Sequence, residues 1–288
     1  MKSLQQTVLV ICPHADDAAA FCGGQVIKFV QEGWRVVMVR VTNDETDSVG
    51  LTREETIRIN TEQMHVAANI MGVSEIVELG YITDCLGDVS RVELREKFIR
   101  LFRQYSPYAV MSFDPYVQYE PNLDHVVVSQ AVEEAYWTAT FDKHHPEHLA
   151  EGLKPHSVCE RWYFARQLSD INCVIDISAV IEQRIDALSA HVEMMRNTFN
   201  QLKLQATTWG RRLPLLDEAI ASGDLRPMMS VWLKQRAARW GKQYGMEYAE
   251  VYRVDRFGGA EELFQRESLP LPGLEDIPMR NRQWFEIQ

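Results

Sequence analysis

Hydrophobic positions follow two rhythms along this chain, short unbroken runs and longer stretches with helical spacing. Val8 to Cys12 is an apolar run rich in β-branched side chains and closed by Pro13, which predicts a fully buried parallel strand. A helical pattern then runs from Ala18 through Val26, Ile27, Phe29 and Val30, Gly33 ends it, and Trp34 to Val41 reads as a second strand. The period repeats. Leu51 to Met71 predicts an amphipathic helix capped by Gly72, followed by a strand over Ser74 to Leu79. Val92 to Tyr105 is the next helix, broken by Pro107 before an apolar strand at Tyr108 to Phe113. Strands follow at Arg161 to Ala165 and Asn172 to Ile177, and Ser178 to Gln205 reads as one long helix.

Strands alternating with helices imply right-handed crossovers and a parallel sheet. The predicted class is α/β, a Rossmann-like, mostly parallel sheet flanked by helices, with a C-terminal helical extension. Residues 1–205 form the principal unit, and 206–288 pack on it as helices, a closing strand at 246–254 and an extended tail over 268–288. That tail holds Pro270, Pro272 and Pro278 and is expected along the surface or on a neighbouring subunit, so a homo-oligomer stays open. Trp209, Trp232 and Trp240 read first as packing residues, with a substrate lid or a subunit contact as the other readings.

A chain of 288 residues with 46% hydrophobic content can bury a large core. Its net charge of −11 argues against a nucleic-acid partner. No apolar run is long enough to span a bilayer, and the N-terminus flows straight into an acidic motif, which points to a cytoplasmic protein. The cysteines, Cys12, Cys22, Cys85, Cys159 and Cys173, form no CxxC pair and read as reduced thiols.

The candidate chemistry begins where the first strand ends. His14, Asp16 and Asp17 sit at a strand's carboxyl end, where open α/β sheets place their ligands. Such an N/O donor set suits Zn²⁺, with one aspartate free to act as a general base. The plainer alternative is a helix start, with an aspartate as cap and His14 packed. Thr42 to Gly50 reads as a solvated loop lining the site, and HHPEH at 144–148 as a solvated connector interrupted by its proline. His125 precedes a helix, whose positive N-terminus favours a neutral imidazole, and Asp124 beside it reads as cap or supporting partner.

PHADD with FCGG resembles the AHPDD…GCGG signature of the LmbE/PIG-L family of zinc-dependent N-deacetylases. By position, the resemblance implies His14 and Asp17 as metal ligands and Asp16 as base. The segment NLDH is similar to the family's HPDH, which makes His125 the third ligand and puts Asn122 where the family has a histidine. Asn122 can donate a hydrogen bond to an oxyanion but cannot deliver a proton, so Tyr119 and His191 become the candidates for the acid. The resemblance makes Arg58, Asp84 and His191 the candidate substrate-binding residues. Asp84 lies on the family's substrate-side loop, His191 matches a histidine that faces the active site, and Arg58 matches an arginine that supports the site from behind. Arg58 with Glu62 also reads as an ordinary helical ion pair, Asp84 as a turn residue and His191 as an ordinary helical residue. Ala15 and Ala18 depart from the family's Pro and Glu.

The resemblance thus implies a zinc-dependent hydrolase that removes an acetyl group from an N-acetylated amino sugar or sugar conjugate. The alternatives within the family are an amidase of a larger sugar-thiol conjugate and a member without catalysis. A nucleotide-binding module fits poorly: Gly23 and Gly24 follow the acids, and two aspartates would repel a pyrophosphate.

Overall fold

The computed structural model describes residues 5–272. Seven strands form one sheet in the order β3-β2-β1-β4-β5-β7-β6. They are β1 (Thr7–Cys12), β2 (Arg35–Thr42), β3 (Glu75–Tyr81), β4 (Ala109–Phe113), β5 (Glu160–Phe164), β6 (Cys173–Asp176) and β7 (Ala249–Arg256). The first five run parallel, and β7 pairs antiparallel with both β5 and β6. β1 and β4 bury almost every side chain because helices cover both faces of the sheet.

The helices are α1 (Gly23–Gln31), α2 (Arg53–Met71), α3 (Arg91–Tyr105), α4 (Leu123–Thr138) and α5 (Pro146–Ala150). They continue with α6 (Ile181–Ser189), α7 (Val192–Thr208), α8 (Pro214–Ser222), α9 (Arg226–Gln243) and α10 (Glu261–Glu267). Two cores result. One packs α1, α6, α7 and α9 under β1, β4 and β5 around Phe29, Trp162 and Phe199. The other packs α3 and α4 on the opposite face around Phe98, Phe102 and Val128.

The helix expected over 178–205 is two helices. The chain breaks at His191 (φ −82°, ψ 61°), between α6 and α7, although neither glycine nor proline marks the place. The loop over 42–50 lines the site as expected but is not simply solvated: Asp44 is fully buried. The 144–148 segment also differs from a solvated connector. Pro146 begins α5 rather than interrupting a helix, and fully buried His148 sits 2.8 Å from Glu96 and 3.3 Å from an Arg103 nitrogen. Most of the proline-bearing tail, residues 273–288, lies outside the described residues. Among the described residues no helix is long and apolar enough to cross a membrane.

Candidate metal centre

β1 delivers His14 and Asp17 into a turn that their own backbone holds, with the His14 N–H donating to Asp17 Oδ2 at 2.8 Å. Thr42, at the end of the neighbouring β2, fixes the same turn by donating from both its N–H and its hydroxyl to the Pro13 carbonyl. A π-helical turn over Ala18–Cys22 then leads into α1, a local widening that recurs at functional sites.

Gly24 is where the start of the helix meets the last strand. Glu250 on β7 accepts from the N–H groups of Gly24 and Gln25 at 2.8 Å each. A Cβ on Gly24 would lie 2.7 Å from that carboxylate and 2.6 Å from Ile177 Cγ2, so only glycine fits.

His125 arrives from the far side of β4 at the N-terminus of α4. Asn122 caps that helix, its Oδ1 accepting from Asp124 N–H at 2.9 Å and His125 N–H at 3.4 Å. The His125 ring stacks on Phe113 with centroids 3.8 Å apart.

Three donor residues now face one another. His14 Nδ1 lies 3.2 Å from His125 Nε2 and 3.4 Å from Asp17 Oδ2, and His125 Nε2 lies 3.3 Å from Asp17 Oδ1. Bonds of about 2.0–2.1 Å to a tetrahedral zinc put neighbouring donors ~3.3 Å apart, so these spacings fit such an ion. All three residues are buried.

Carboxylates stand beside the outward nitrogens, although His125 Nδ1 forms no hydrogen bond among the described residues. Asp124 Oδ2 stands 3.4 Å from His14 Nε2, and Glu120 Oε1 stands 3.2 Å from His125 Nδ1. Such partners fix the ring orientation and tautomer of a metal-ligating histidine. Asp124 therefore supports His14, while Asn122 makes the cap.

The electrostatics favour a cation. Asp16, Asp17, Asp44, Asp47, Asp124 and Glu120 surround the site, and Arg40, paired with Asp44 at 3.2 Å, is one of the few opposing charges. Burial opposes charge on His14 and His125, yet Asp124 and Asp17 hold the first, and Asp17 and Glu120 the second, above the ordinary imidazole value. Asp17 feels burial as well, but the two histidines hold its carboxyl far below the usual range. Burial, then repulsion from Asp17, pushes Asp16 up to about 7.

A cavity of about 210 Å³ opens over these groups and includes Asp16 and Asn122 in its lining. The structure thus brings His14, Asp16, Asp17, Asn122 and His125 together. Four other candidates lie elsewhere. Tyr119, at φ 62°, is 84% exposed and does not line the cavity, which removes it as the proton donor. Arg58 is exposed and pairs with Glu62 at 2.9 Å; from the buried face of α2, Asn60 donates to the carbonyls of Asp44 and Asp47. Asp84 is exposed and contributes through its backbone, donating from N–H to Asp124 at 2.8 Å. His191 is buried behind the cavity rather than lining it, and burial lowers its pKa to about 4 despite the pull of Asp17.

Glu120 and Asp44 were not legible as site residues. Asp44 accepts from Ala15 N–H at 3.2 Å and lies 3.1 Å from the Thr42 hydroxyl, whose single proton it shares with the Pro13 carbonyl, locking the motif from β2.

A family model described as PIG-L, GlcNAc-PI de-N-acetylase, matches residues 9–136, the stretch that holds all three donor residues. Diacetylchitobiose deacetylase of Thermococcus kodakarensis is 30% identical over 253 residues, covering 85% of this chain and 82% of that protein. A probable N-acetyl-alpha-D-glucosaminyl L-malate deacetylase of Bacillus anthracis is 23% identical over 204 residues, 69% of this chain and 86% of that one. Among solved structures, N,N'-diacetylchitobiose deacetylase from Pyrococcus horikoshii matches with a TM-score of 0.71 at 21% identity, over 91% of this chain and 86% of that chain. That likeness establishes the fold.

Proposed function

The chain belongs to the PIG-L/LmbE family and is a deacetylase, a hydrolase acting on amides; we propose that it uses Zn²⁺ held by His14, Asp17 and His125 to remove the acetyl group from an N-acetylated amino sugar or sugar conjugate. The observation that carries this reading is a spare carboxylate, Asp16, in the same small cavity as three donor residues at zinc-like spacing. A bound zinc supplies Lewis acidity toward the amide carbonyl and lowers the pKa of water. Asp16 takes the proton of the attacking water and returns it to the departing amine, the shuttle that remains once Tyr119 is exposed and His191 is buried behind the cavity. Asn122 has its oxygen committed to the α4 cap, so its contribution to the oxyanion comes from the amide nitrogen.

The test is amine release from a panel of N-acetylglucosamine conjugates, with zinc and with a chelator. Asp16→Asn should keep its metal and lose about 10²–10⁴ in kcat. Full activity in that variant removes Asp16 from its role, and zinc-loaded wild-type protein that releases no amine from any conjugate defeats the proposal.

A further inference from the structure

A larger cavity, about 720 Å³, lies beside the metal cavity, and Phe21, Arg166, Trp232 and Arg236 line both. Arg239 and Trp240 line the larger one alone. Apart from Phe21, all of these lie beyond the 9–136 stretch matched by the family model.

The cations of this wall are poorly matched by anions. Arg236 donates from Nη2 to the Ala165 carbonyl at 2.9 Å and lies 5.3 Å from the Phe21 ring centroid, and among the described residues no carboxylate stands within ion-pair reach of it. Arg239 is exposed and likewise has no carboxylate partner among the described residues. Arg166 shares Glu120, at 3.2 Å, with His125.

Glu250, the carboxylate in this wall, is fully occupied. It takes Arg184 at 2.9 Å, the N–H groups of Gly24 and Gln25, and the Tyr252 hydroxyl. Burial, then repulsion from Arg184, lowers the Arg236 pKa to about 10, which leaves it charged at neutral pH. Arg236 is half-buried and its guanidinium is held by one carbonyl, so an anion entering the cavity completes its hydrogen bonds. Two of the four arginines in this wall, Arg236 and Arg239, thus lack a carboxylate partner among the described residues, in a chain whose net charge is −11.

We infer that the larger cavity receives the part of the substrate remote from the acetamide, and that this part carries an anionic group, a carboxylate or a phosphate, bound by Arg236 with Arg166 and Arg239. Trp232 and Trp240 offer flat apolar surface beside it. The inference rests on the deacetylase reading of the adjoining cavity, since it fixes which end of the substrate lies at Asp16.

Binding is measured by calorimetry on chelator-treated full-length protein, so that it does not depend on turnover. The probes are the methyl glycoside, the carboxymethyl glycoside and the 1-phosphate of N-acetylglucosamine. At least one anionic probe should bind about tenfold or more tightly than the methyl glycoside, and the better of the two identifies carboxylate or phosphate as the group recognised. Arg236→Gln should abolish the advantage and Arg239→Gln, at an exposed position, should reduce it.

Equal affinity for all three probes, no measurable binding of any, or an advantage retained in Arg236→Gln overturns the inference. Amine release by the zinc-loaded protein is scored separately. A charge preference in calorimetry without amine release defeats the deacetylase reading of the site and leaves the anion subsite standing.

Discussion

His191→Gln should flatten the acid limb of the stability curve. His191 is 1% exposed and its pKa falls from 6.5 to about 4, because burial penalises the imidazolium more than Asp17 favours it. Above pH 6.5 the residue is neutral folded and unfolded, and it costs nothing. Between 6.5 and 4 the unfolded chain binds a proton that the folded chain refuses, so stability declines as pH falls. Moving from about pH 7.5 to about pH 5 should therefore cost wild-type protein about 2 kcal/mol through this residue, rising to about 3 kcal/mol once the titration is complete. Urea unfolding of chelator-treated wild-type and variant protein at both pH values isolates that term, because the remaining titrations cancel in the double difference. An identical pH dependence in the two proteins would refute the reasoning and place a charged His191 in the folded state.

The other predictions concern the supports of the site. Glu120→Gln should weaken metal binding by about 10–100-fold, read by competition with a chromophoric chelator, because it removes the carboxylate beside His125 Nδ1. Unchanged affinity would show that Phe113 alone orients the ring. Gly24→Ala should destabilise the fold by about 1–3 kcal/mol in thermal or urea unfolding, since its Cβ would crowd Glu250 and Ile177; an unchanged midpoint would mean that β7 shifts at little cost. We also propose that residues 206–288 belong to the same folding unit as 1–205, so a chain ending at 205 should be insoluble or give an unfolded circular-dichroism spectrum.

His14, Asp16 and Asp17 were legible as a polar cluster just past the apolar run of β1, which stops at Cys12. The roles of His14 and Asp17 as ligands and Asp16 as base, and the choice of His125 as third ligand, came instead from the resemblance of PHADD and NLDH to the family's motifs. The supports were harder to find. Glu120 sits in a loop with no period to announce its burial, and its partner His125 cannot be inferred from spacing. Asp44 looks like an ordinary acidic loop residue until β2 is laid beside β1 and its carboxylate meets the Ala15 amide. Tyr119 was a candidate acid only because Asn122 cannot deliver a proton, and its ring lies in solvent, at a left-handed backbone position. The break at His191 arises from packing behind the site and leaves no glycine or proline as a marker.

The carboxylate that completes the amides of Gly24 and Gln25 is Glu250, more than two hundred positions further along the polypeptide. Because both of its oxygens are engaged at the start of α1, a change in β7 reaches the segment just after the His14 motif directly, without passing through β4 or β5.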